Sequence, residues 1–185
     1  MTSISRGMAL AIAAMVAVVA LSNYTVQFPI NAWLTWGALI YPLTFLVTDI
    51  ANRAWGPSRA RTIVYVGFAV GVLLSGALAP WRIAVASGIA FIVGQLLDIA
   101  VFDRLRRGTW WQAPFVGSAL GSIVDTVLFF GIAFVGVMPL MPQTQGPSVV
   151  TLTLGDLILK LALALVLLAP FRALMGRVLP LEARA

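Results

Sequence analysis

The chain has 185 residues, of which 61% are hydrophobic and only 10% are charged. A soluble domain carries about 25% charged residues, so this composition excludes an ordinary soluble fold. Cysteine and histidine are both absent, which removes disulfides, thiolate or imidazole metal sites and an imidazole proton relay. The arginines behind the net charge of +6 are scattered between apolar runs, so we expect no nucleic-acid partner. We also expect no cofactor, since the chain has no cysteine or histidine to hold a metal or a haem.

Six apolar runs predict an all-α integral membrane protein, a single transmembrane bundle over residues 1–185. The predicted spans cover residues 8–28, 36–52, 62–79, 82–102, 115–138 and 152–171. Each is near the roughly 17 to 25 residues with which an α-helix crosses about 30 Å of hydrocarbon. The first run also resembles a cleaved signal peptide, but its apolar stretch is long for one. With three spans in each half, the second half of the chain would lie in the membrane upside down relative to the first, an arrangement common in transporters.

The arginines predict the orientation of the bundle. Only Arg82 lies on the alternate connections, whereas ten arginines precede span one, follow span six or lie in the loops after spans two and four. An excess of basic residues marks cytoplasmic loops, so we expect both termini in the cytoplasm. These ten residues are Arg6, Arg53, Arg59, Arg61, Arg104, Arg106, Arg107, Arg172, Arg177 and Arg184.

Four carboxylates lie inside the predicted spans. A charged side chain near the bilayer centre costs about 2.5 to 3.5 kcal/mol on insertion scales, so such residues are usually functional. They are Asp49, Asp98, Asp125 and Asp156.

Span two places Phe45, Asp49 and Asn52 on one helical stripe. Pro42 frees a backbone carbonyl one turn earlier and predicts a bend in the helix. The alternative for Asp49 is that it reaches the nearby interface and pairs with Arg53 at i+4.

Span four places Gln95 and Asp98 on one face, with Phe91 one turn away. A carboxylate, an amide and an aromatic ring on one helix are suited to a polar planar ligand. The alternative is a hydrogen-bonded latch between helices, since amides often join membrane helices.

Span five carries Asp125 near its middle, on one stripe with Ser122 and Phe129. No basic residue lies within two turns of Asp125 on its own helix, so this carboxylate is the least readily explained as structural. Gly117 and Gly121 form a small-residue pair that lets another helix approach closely. Such glycines also allow a homodimer without requiring one.

Span six carries Asp156 and Lys160 at i and i+4. Opposite charges at this spacing can form a structural ion pair, and a coupling role for the two residues stays an equal alternative.

The polar set favours a ligand with several N–H donors on a flat ring. Carboxylates accept hydrogen bonds, amides both donate and accept, and aromatic faces stack on planar heterocycles. A free phosphate or carboxylate fits poorly, because the predicted spans offer a single interior cation, Lys160.

The same segments resemble the queuosine precursor transporter family, also called vitamin uptake transporters. The resemblance covers nearly the whole chain. It rests on Tyr41 to Phe45 with Thr48-Asp49, Gly94 to Asp98, Val101 to Arg106, Trp110-Trp111, Gly121 to Thr126 with Phe129-Phe130, and Asp156 with Lys160.

This resemblance implies import of cyano- or aminomethyl-deazaguanine across the bacterial inner membrane by secondary transport. By position, Asp98 and Gln95 would hold the edge of the base. Asp125 and Asp49 would complete the pocket or carry a coupling proton. Phe45, Phe91 and Phe129 would stack on the ring.

Two rival functions stay open. A substrate-capture subunit would bind the ligand and need an ATP-driven partner; the small-residue spacing of Ala9, Ala13 and Ala17 in span one suits such a subunit. A membrane enzyme would need paired aspartates as catalysts, and no pair lies in a recognisable protease setting. We therefore expect a transporter and not an enzyme.

Overall fold

A computed structural model describes residues 3–25, 28, 30, 34–141 and 148–176, and nearly all of them are helical. The helices, in chain order, are α1 (Ser3–Thr25), α2 (Trp36–Ile40), α3 (Leu43–Trp55), α4 (Pro57–Leu78), α5 (Trp81–Leu105), α6 (Gln112–Phe134), α7 (Val149–Val166) and α8 (Leu168–Met175).

The predicted all-α membrane fold is confirmed. In the described part of the chain, five helical stretches are long and apolar enough to cross a membrane. They are Arg6–Thr25, Pro57–Leu78, Trp81–Leu105, Gln112–Phe134 and Val149–Met175, the last of which combines α7 and α8.

The second predicted span is two short helices, and the reason is Pro42. Proline has no N–H, so the helical hydrogen bond to the carbonyl of Ala38 cannot form. Thr44 and Phe45 instead bond back three residues, to the carbonyls of Tyr41 and Pro42. Tyr41 and Pro42 keep right-handed helical dihedral angles, so α2 and α3 together form one kinked rod. At about 1.5 Å per residue, this rod is long enough to cross the hydrocarbon.

The predicted end of span five at residue 138 was wrong, because α6 ends at Phe134. Val135 turns to an extended conformation and Gly136 has a φ of 81°, which favours glycine. The Arg82 guanidinium donates to the carbonyls of Ile132 and Val135 at 2.7 Å each. Arg82 therefore caps the carbonyls that a helix end leaves without partners.

Helices α5 and α6 pack most closely in the bundle, and glycines make this contact possible. A Cβ on Gly94 would lie 2.9 Å from the Asp125 Cβ and 3.0 Å from the Gly121 carbonyl oxygen. A Cβ on Gly121 would lie 2.8 Å from both the Gly94 carbonyl oxygen and Phe45 Cε1. The small-residue pair predicted on span five thus serves contact within the chain.

The two ends of the bundle differ in packing. The arginine end carries the α3–α4 and α5–α6 connections and the end of α8, and there Phe102, Ala113 and Phe171 form a closed apolar cluster. A larger apolar cluster, which includes Met15, Ile63 and Ile99, joins α1, α4 and α5. The opposite end is open, and it holds the candidate site.

Candidate functional site

A cavity of about 560 Å³ lies between α1, α2, α4, α5, α6 and α7. Its lining comes from the last turns of α1, α4 and α6 and from the first turns of α5 and α7. These are the helix ends opposite the arginine-bearing connections, so the cavity opens away from the arginine end.

Aromatic and aliphatic side chains form most of the cavity wall. Phe129 and Phe130 meet edge to face, with ring centroids 5.1 Å apart. Phe91 meets Tyr41 in the same way at 6.3 Å. The aromatic residues of the wall are Tyr41, Phe68, Phe91, Phe129, Phe130 and Phe134.

The floor of the cavity is polar and charged. We call Tyr41, Asp125, Thr126, Asp156 and Lys160 the lysine cluster. The Lys160 ammonium lies 2.6 Å from Asp125 Oδ2 and 2.6 Å from Asp156 Oδ2. It also donates to Thr126 Oγ1 at 3.1 Å and lies 5.1 Å above the centre of the Tyr41 ring. The i, i+4 ion pair predicted on span six therefore forms.

Two further hydrogen bonds complete the lysine cluster. The Tyr41 hydroxyl donates to Asp125 Oδ1 at 2.7 Å, and the Thr126 hydroxyl donates to Asp156 Oδ2 at 2.8 Å. The kink at Pro42 puts Tyr41 at the cavity floor, between α5, α6 and α7. With two carboxylates and one ammonium, the cluster carries one formal negative charge beneath an apolar wall.

A second polar group lies deeper, between α3 and α5, and does not line the cavity. We call Thr44, Thr48 and Gln95 the glutamine network. The Thr48 hydroxyl donates to Gln95 Oε1 at 2.6 Å, and Gln95 Nε2 donates to Thr44 Oγ1 at 2.8 Å. Thr44 in turn donates to the Tyr41 carbonyl at 2.8 Å. The hydrogen-bonded latch left open from the sequence is present, with a glutamine and two threonines.

Asp49 and Asp98, which we call the aspartate pair, are buried beside this network. Asp98 is 0% exposed and Asp49 is 3% exposed. The Ser118 hydroxyl donates to Asp49 Oδ2 at 3.1 Å. In the part of the chain that the structure describes, Asp49 Oδ1 and both Asp98 carboxylate oxygens have no hydrogen-bond partner. Buried polar groups without partners are rare and call for an explanation.

Asn52 lies nearer the arginine end, where it joins α3 to α5. Its Nδ2 donates to the Ile99 carbonyl at 3.1 Å. Arg106 Nη2 donates to Asn52 Oδ1 at 2.7 Å, and Arg106 Nε pairs with Asp103 at 2.9 Å. Through Asn52, α3 is joined to α5 and to Arg106, the residue that follows α5.

A small pocket of about 10 Å³ lies between the lysine cluster and the arginine end. That volume holds about one water molecule. Of the residues that the structure describes, only Lys160 lines both this pocket and the large cavity. The other lining residues are Pro42, Phe45, Leu46, Asp49, Pro114, Ser118, Ser122, Ala164, Leu167, Leu168 and Phe171.

The structure divides the predicted site residues into two groups. The first lines the cavity and comprises Phe91, Asp125, Phe129, Asp156 and Lys160. The second is closed between helices and comprises Phe45, Asp49, Asn52, Gln95, Asp98 and Ser122. Their predicted roles in substrate binding stay predictions.

Sequence reasoning missed Tyr41, Thr44 and Thr126 as members of the polar groups. Tyr41 stands directly before Pro42, the residue that was predicted to bend the helix, and a kink next to a tyrosine was an available signal. Thr44 and Thr126 gave none, because threonines are unremarkable in membrane helices.

The comparisons with known proteins agree with the segments quoted from the sequence. A family model described as a putative vitamin uptake transporter matches residues 35–79 and 77–175. The chain belongs to this family. The resemblance drawn from the sequence is therefore confirmed. No solved structure matches the chain.

Three curated relatives carry related names. The probable queuosine precursor transporter of Haemophilus influenzae is 38% identical, with 63% of this chain and 65% of that protein covered. The queuosine precursor transporter of Escherichia coli is 38% identical, with coverage of 63% and 64%. The probable queuosine precursor transporter of Bacillus subtilis is 30% identical, with coverage of 57% and 58%. The chain thus spans less than two thirds of each relative's length.

Proposed function

We propose that this chain imports a queuosine precursor, a deazaguanine base, across the bacterial inner membrane by secondary transport. The observation that carries the proposal is the cavity of about 560 Å³, with its aromatic wall and charged floor. This volume lies within the range of about 300 to 1,000 Å³ that is usual for small-molecule sites. The names of the three relatives support the same class of substrate.

The cavity's chemistry suits a planar base with several N–H donors. The carboxylates of Asp125 and Asp156 accept hydrogen bonds, and the rings of Phe91 and Phe129 can stack on a heterocycle. We assign base binding to these cavity-lining residues. A base could reach Asp98 and Gln95 only after α3 and α5 separate, since both side chains are 0% exposed.

The loop-charge rule predicts that the arginine end faces the cytoplasm. We accordingly propose that the cavity opens to the outside and that the closed apolar cluster of Phe102, Ala113 and Phe171 blocks the cytoplasmic side. In alternating access, the base would enter the cavity, and this cluster would open in a later step.

The test is uptake of radiolabelled cyano-deazaguanine by liposomes that contain only this protein. Unlabelled cyano-deazaguanine, adenine and guanine serve as competitors. We expect saturable uptake that deazaguanine blocks better than adenine does. Asp125→Asn keeps the side-chain volume but removes the charge, and we expect it to abolish specific binding and uptake. Asp103→Asn is the matched control, because Asp103 lies outside the cavity and its side chain is 43% exposed.

Absence of both binding and uptake in the unmodified protein would refute the proposed function. Equal loss in Asp125→Asn and Asp103→Asn would show that the effect is not specific to the cavity.

The capture-subunit alternative keeps one supporting observation. Ala9, Ala13 and Ala17 lie along α1 and are all exposed, so a partner's helix could approach this face closely. Binding of the base without uptake by the purified protein would favour this second function over autonomous transport.

A further inference from the structure

We propose that Asp49 and Asp98 form a proton-binding site, separate from the base-binding cavity, through which transport is coupled to protons. This inference rests on the proposed transport function. It assigns the aspartate pair to a second ligand, the coupling proton, and leaves the base to the lysine cluster and the aromatic wall.

The two carboxylates converge on one turn of α6. A Cβ on Gly117 would lie 2.5 Å from Asp98 Oδ1, so the Asp98 carboxylate rests directly against this glycine. The next residue, Ser118, donates its hydroxyl to Asp49 Oδ2. Glycine at position 117 thus leaves the space that the Asp98 carboxylate occupies beside Asp49.

The pair accepts few hydrogen bonds for two buried carboxylates. Among the described residues, three of its four carboxylate oxygens have no hydrogen-bond partner: Asp49 Oδ1, Asp98 Oδ1 and Asp98 Oδ2. Burying an ionised carboxylate without compensation is far more costly than burying a neutral one. Two like charges in one buried site raise that cost, and sharing a proton is the usual solution for such a pair.

A proton fits the available space better than the other candidates do. The pocket beside Asp49 measures about 10 Å³, and Asp98 lines neither this pocket nor the large cavity. Among the described residues, no group of three or more acidic, histidine or cysteine side chains could hold a metal ion. A base or a hydrated cation therefore has no room there in this conformation.

The charged groups on the helices around the aspartate pair either bond to one another or lie near the helix ends. Helices α3, α4 and α6 pack against α5, which carries Asp98. On α6 the charged residue is Asp125, which is bonded to Lys160 and Tyr41. Asp103 at the end of α5 pairs with Arg106, the residue that follows this helix, more than one turn beyond Asp98. The remaining charged or titratable side chains on these elements are Arg53 on α3, near the arginine end, the exposed Arg59, Arg61 and Tyr65 on α4, and Arg82 and Arg104 near the two ends of α5. Helices α1 and α8 also contact α3, which carries Asp49, and their charged or titratable side chains are the exposed Arg6, Tyr24 and Arg172.

The proposed step moves one proton in each cycle. The proton binds one carboxylate of the pair while the site is accessible from the cavity side. It leaves the same carboxyl group when α3 and α6 separate at the arginine end, and this restores the ionised pair. Lys160 lines both the cavity and the pocket at Asp49, so this one side chain contacts the base-binding floor and the space beside the proton site.

The first test compares net uptake with exchange in liposomes. An outside-acidic pH gradient should accelerate net uptake of cyano-deazaguanine by the unmodified protein. We expect Asp98→Asn and Asp49→Asn to lose this acceleration, and Asp103→Asn to retain it. Retained acceleration in the double variant Asp49→Asn/Asp98→Asn would overturn the inference.

Two other outcomes separate this inference from the proposed function. Exchange of the base by the unmodified protein without any response to the gradient refutes proton coupling and leaves transport standing. Loss of base binding in Asp98→Asn refutes the separate proton site and supports the direct base contact that the sequence predicted.

The second test needs no substrate. The infrared C=O stretch of a protonated carboxyl group should be present in the unmodified protein and should shift in heavy water. We expect the double variant Asp49→Asn/Asp98→Asn to lose this band, and Asp103→Asn to keep it. A band of unchanged intensity in the double variant would overturn the proposal even if the protein transports another molecule.

Discussion

The lysine cluster and the aspartate pair differ in how the charge of their carboxylates is compensated. Both place two carboxylates at membrane depth, and all of them except the partly exposed Asp156 are buried. In the lysine cluster, Asp125 and Asp156 share the ammonium of Lys160 and receive two hydroxyl donors. In the aspartate pair, Ser118 supplies the one hydrogen bond found among the described residues. The difference shows that burial alone does not define a role for an intramembrane carboxylate; its partners and its access to open space do.

The lysine cluster and the aspartate pair also differ in their access to open space. The compensated group faces the large cavity, where an incoming ligand can compete for its carboxylates. The uncompensated group is closed between α3, α5 and α6, where only a very small ligand can reach it. Each prediction below disturbs one side of this comparison, in order from the largest expected effect to the smallest.

Lys160→Met should have the largest effect. It keeps an apolar stem of similar length but leaves the buried Asp125 and the partly buried Asp156 without a cation. Removing one partner of a buried ion pair costs about 3 to 5 kcal/mol, so we expect a loss of this order in the free energy of unfolding. Unfolding of the purified protein in mixed micelles measures it.

A second substitution tests whether the stability lost in Lys160→Met comes from uncompensated carboxylate charge. Adding Asp156→Asn to Lys160→Met removes one of the uncompensated charges and should recover part of the lost stability. Arg59→Met is the control for loss of an exposed cation, and we expect little change from it because exposed ion pairs contribute little. Equal losses in Lys160→Met and Arg59→Met would contradict the account of the cluster.

The local parts of both groups could be predicted from the sequence. The i, i+4 spacing of Asp156 and Lys160 predicted their ion pair, and Pro42 predicted the bend between α2 and α3. Helical spacing also placed Gln95 and Asp98 on one face. These predictions succeed because helix geometry relates residues three or four positions apart.

The contacts between helices could not be predicted in this way. Tyr41 and Asp125 are 84 positions apart, and Lys160 and Asp125 are 35 apart. Gln95 and Asp98 share a face, yet the Gln95 amide both donates and accepts a hydrogen bond, whereas the Asp98 carboxylate has no hydrogen-bond partner among the described residues. Which neighbour each side chain meets depends on the way α3 and α6 pack against α5, and spacing along a single helix carries no information on that packing.

Gly121→Ala tests the close contact between α5 and α6 that lies between the two groups. Gly121 lies between the turn that meets Asp98 and the turn that carries Asp125, and its added Cβ would lie 2.8 Å from the Gly94 carbonyl oxygen. Backbone must shift to relieve this overlap, and overpacking costs about 1 to 3 kcal/mol. We expect a lower free energy of unfolding and altered contacts in both groups.

Gly131→Ala on the same helix is the matched control, because nothing lies within 4 Å of its added Cβ. There, alanine should stabilise the helix slightly, by up to about 1 kcal/mol, because it forms helices more readily than glycine does. A similar loss of stability in both variants would show that α5 and α6 are not held together at Gly121.

Gln95→Leu tests how much the glutamine network, which lies beside the aspartate pair, stabilises the contact between α3 and α5. The substitution removes the bonds to Thr44 and Thr48. Hydrogen bonds between membrane helices average about 0.6 kcal/mol each, so we expect a loss of about 1 kcal/mol in the free energy of unfolding. A double-mutant cycle with Thr48→Val isolates one bond. Zero coupling between the two changes would contradict the observed hydrogen bond.

Tyr41→Phe should have the smallest effect, and it sharpens the comparison most directly. It removes a single donor from the lysine cluster and leaves the ring beneath Lys160 in place. Since Asp125 keeps the Lys160 ammonium, the cluster stays compensated, and we expect a loss of only about 0.6 kcal/mol in stability or in binding of the base. Tyr65→Phe is the control, because Tyr65 is exposed on α4. A loss as large as that of Lys160→Met would mean that the hydroxyl, and not the ammonium, holds Asp125 in place, and the lysine cluster would then resemble the aspartate pair in depending on a single hydroxyl donor.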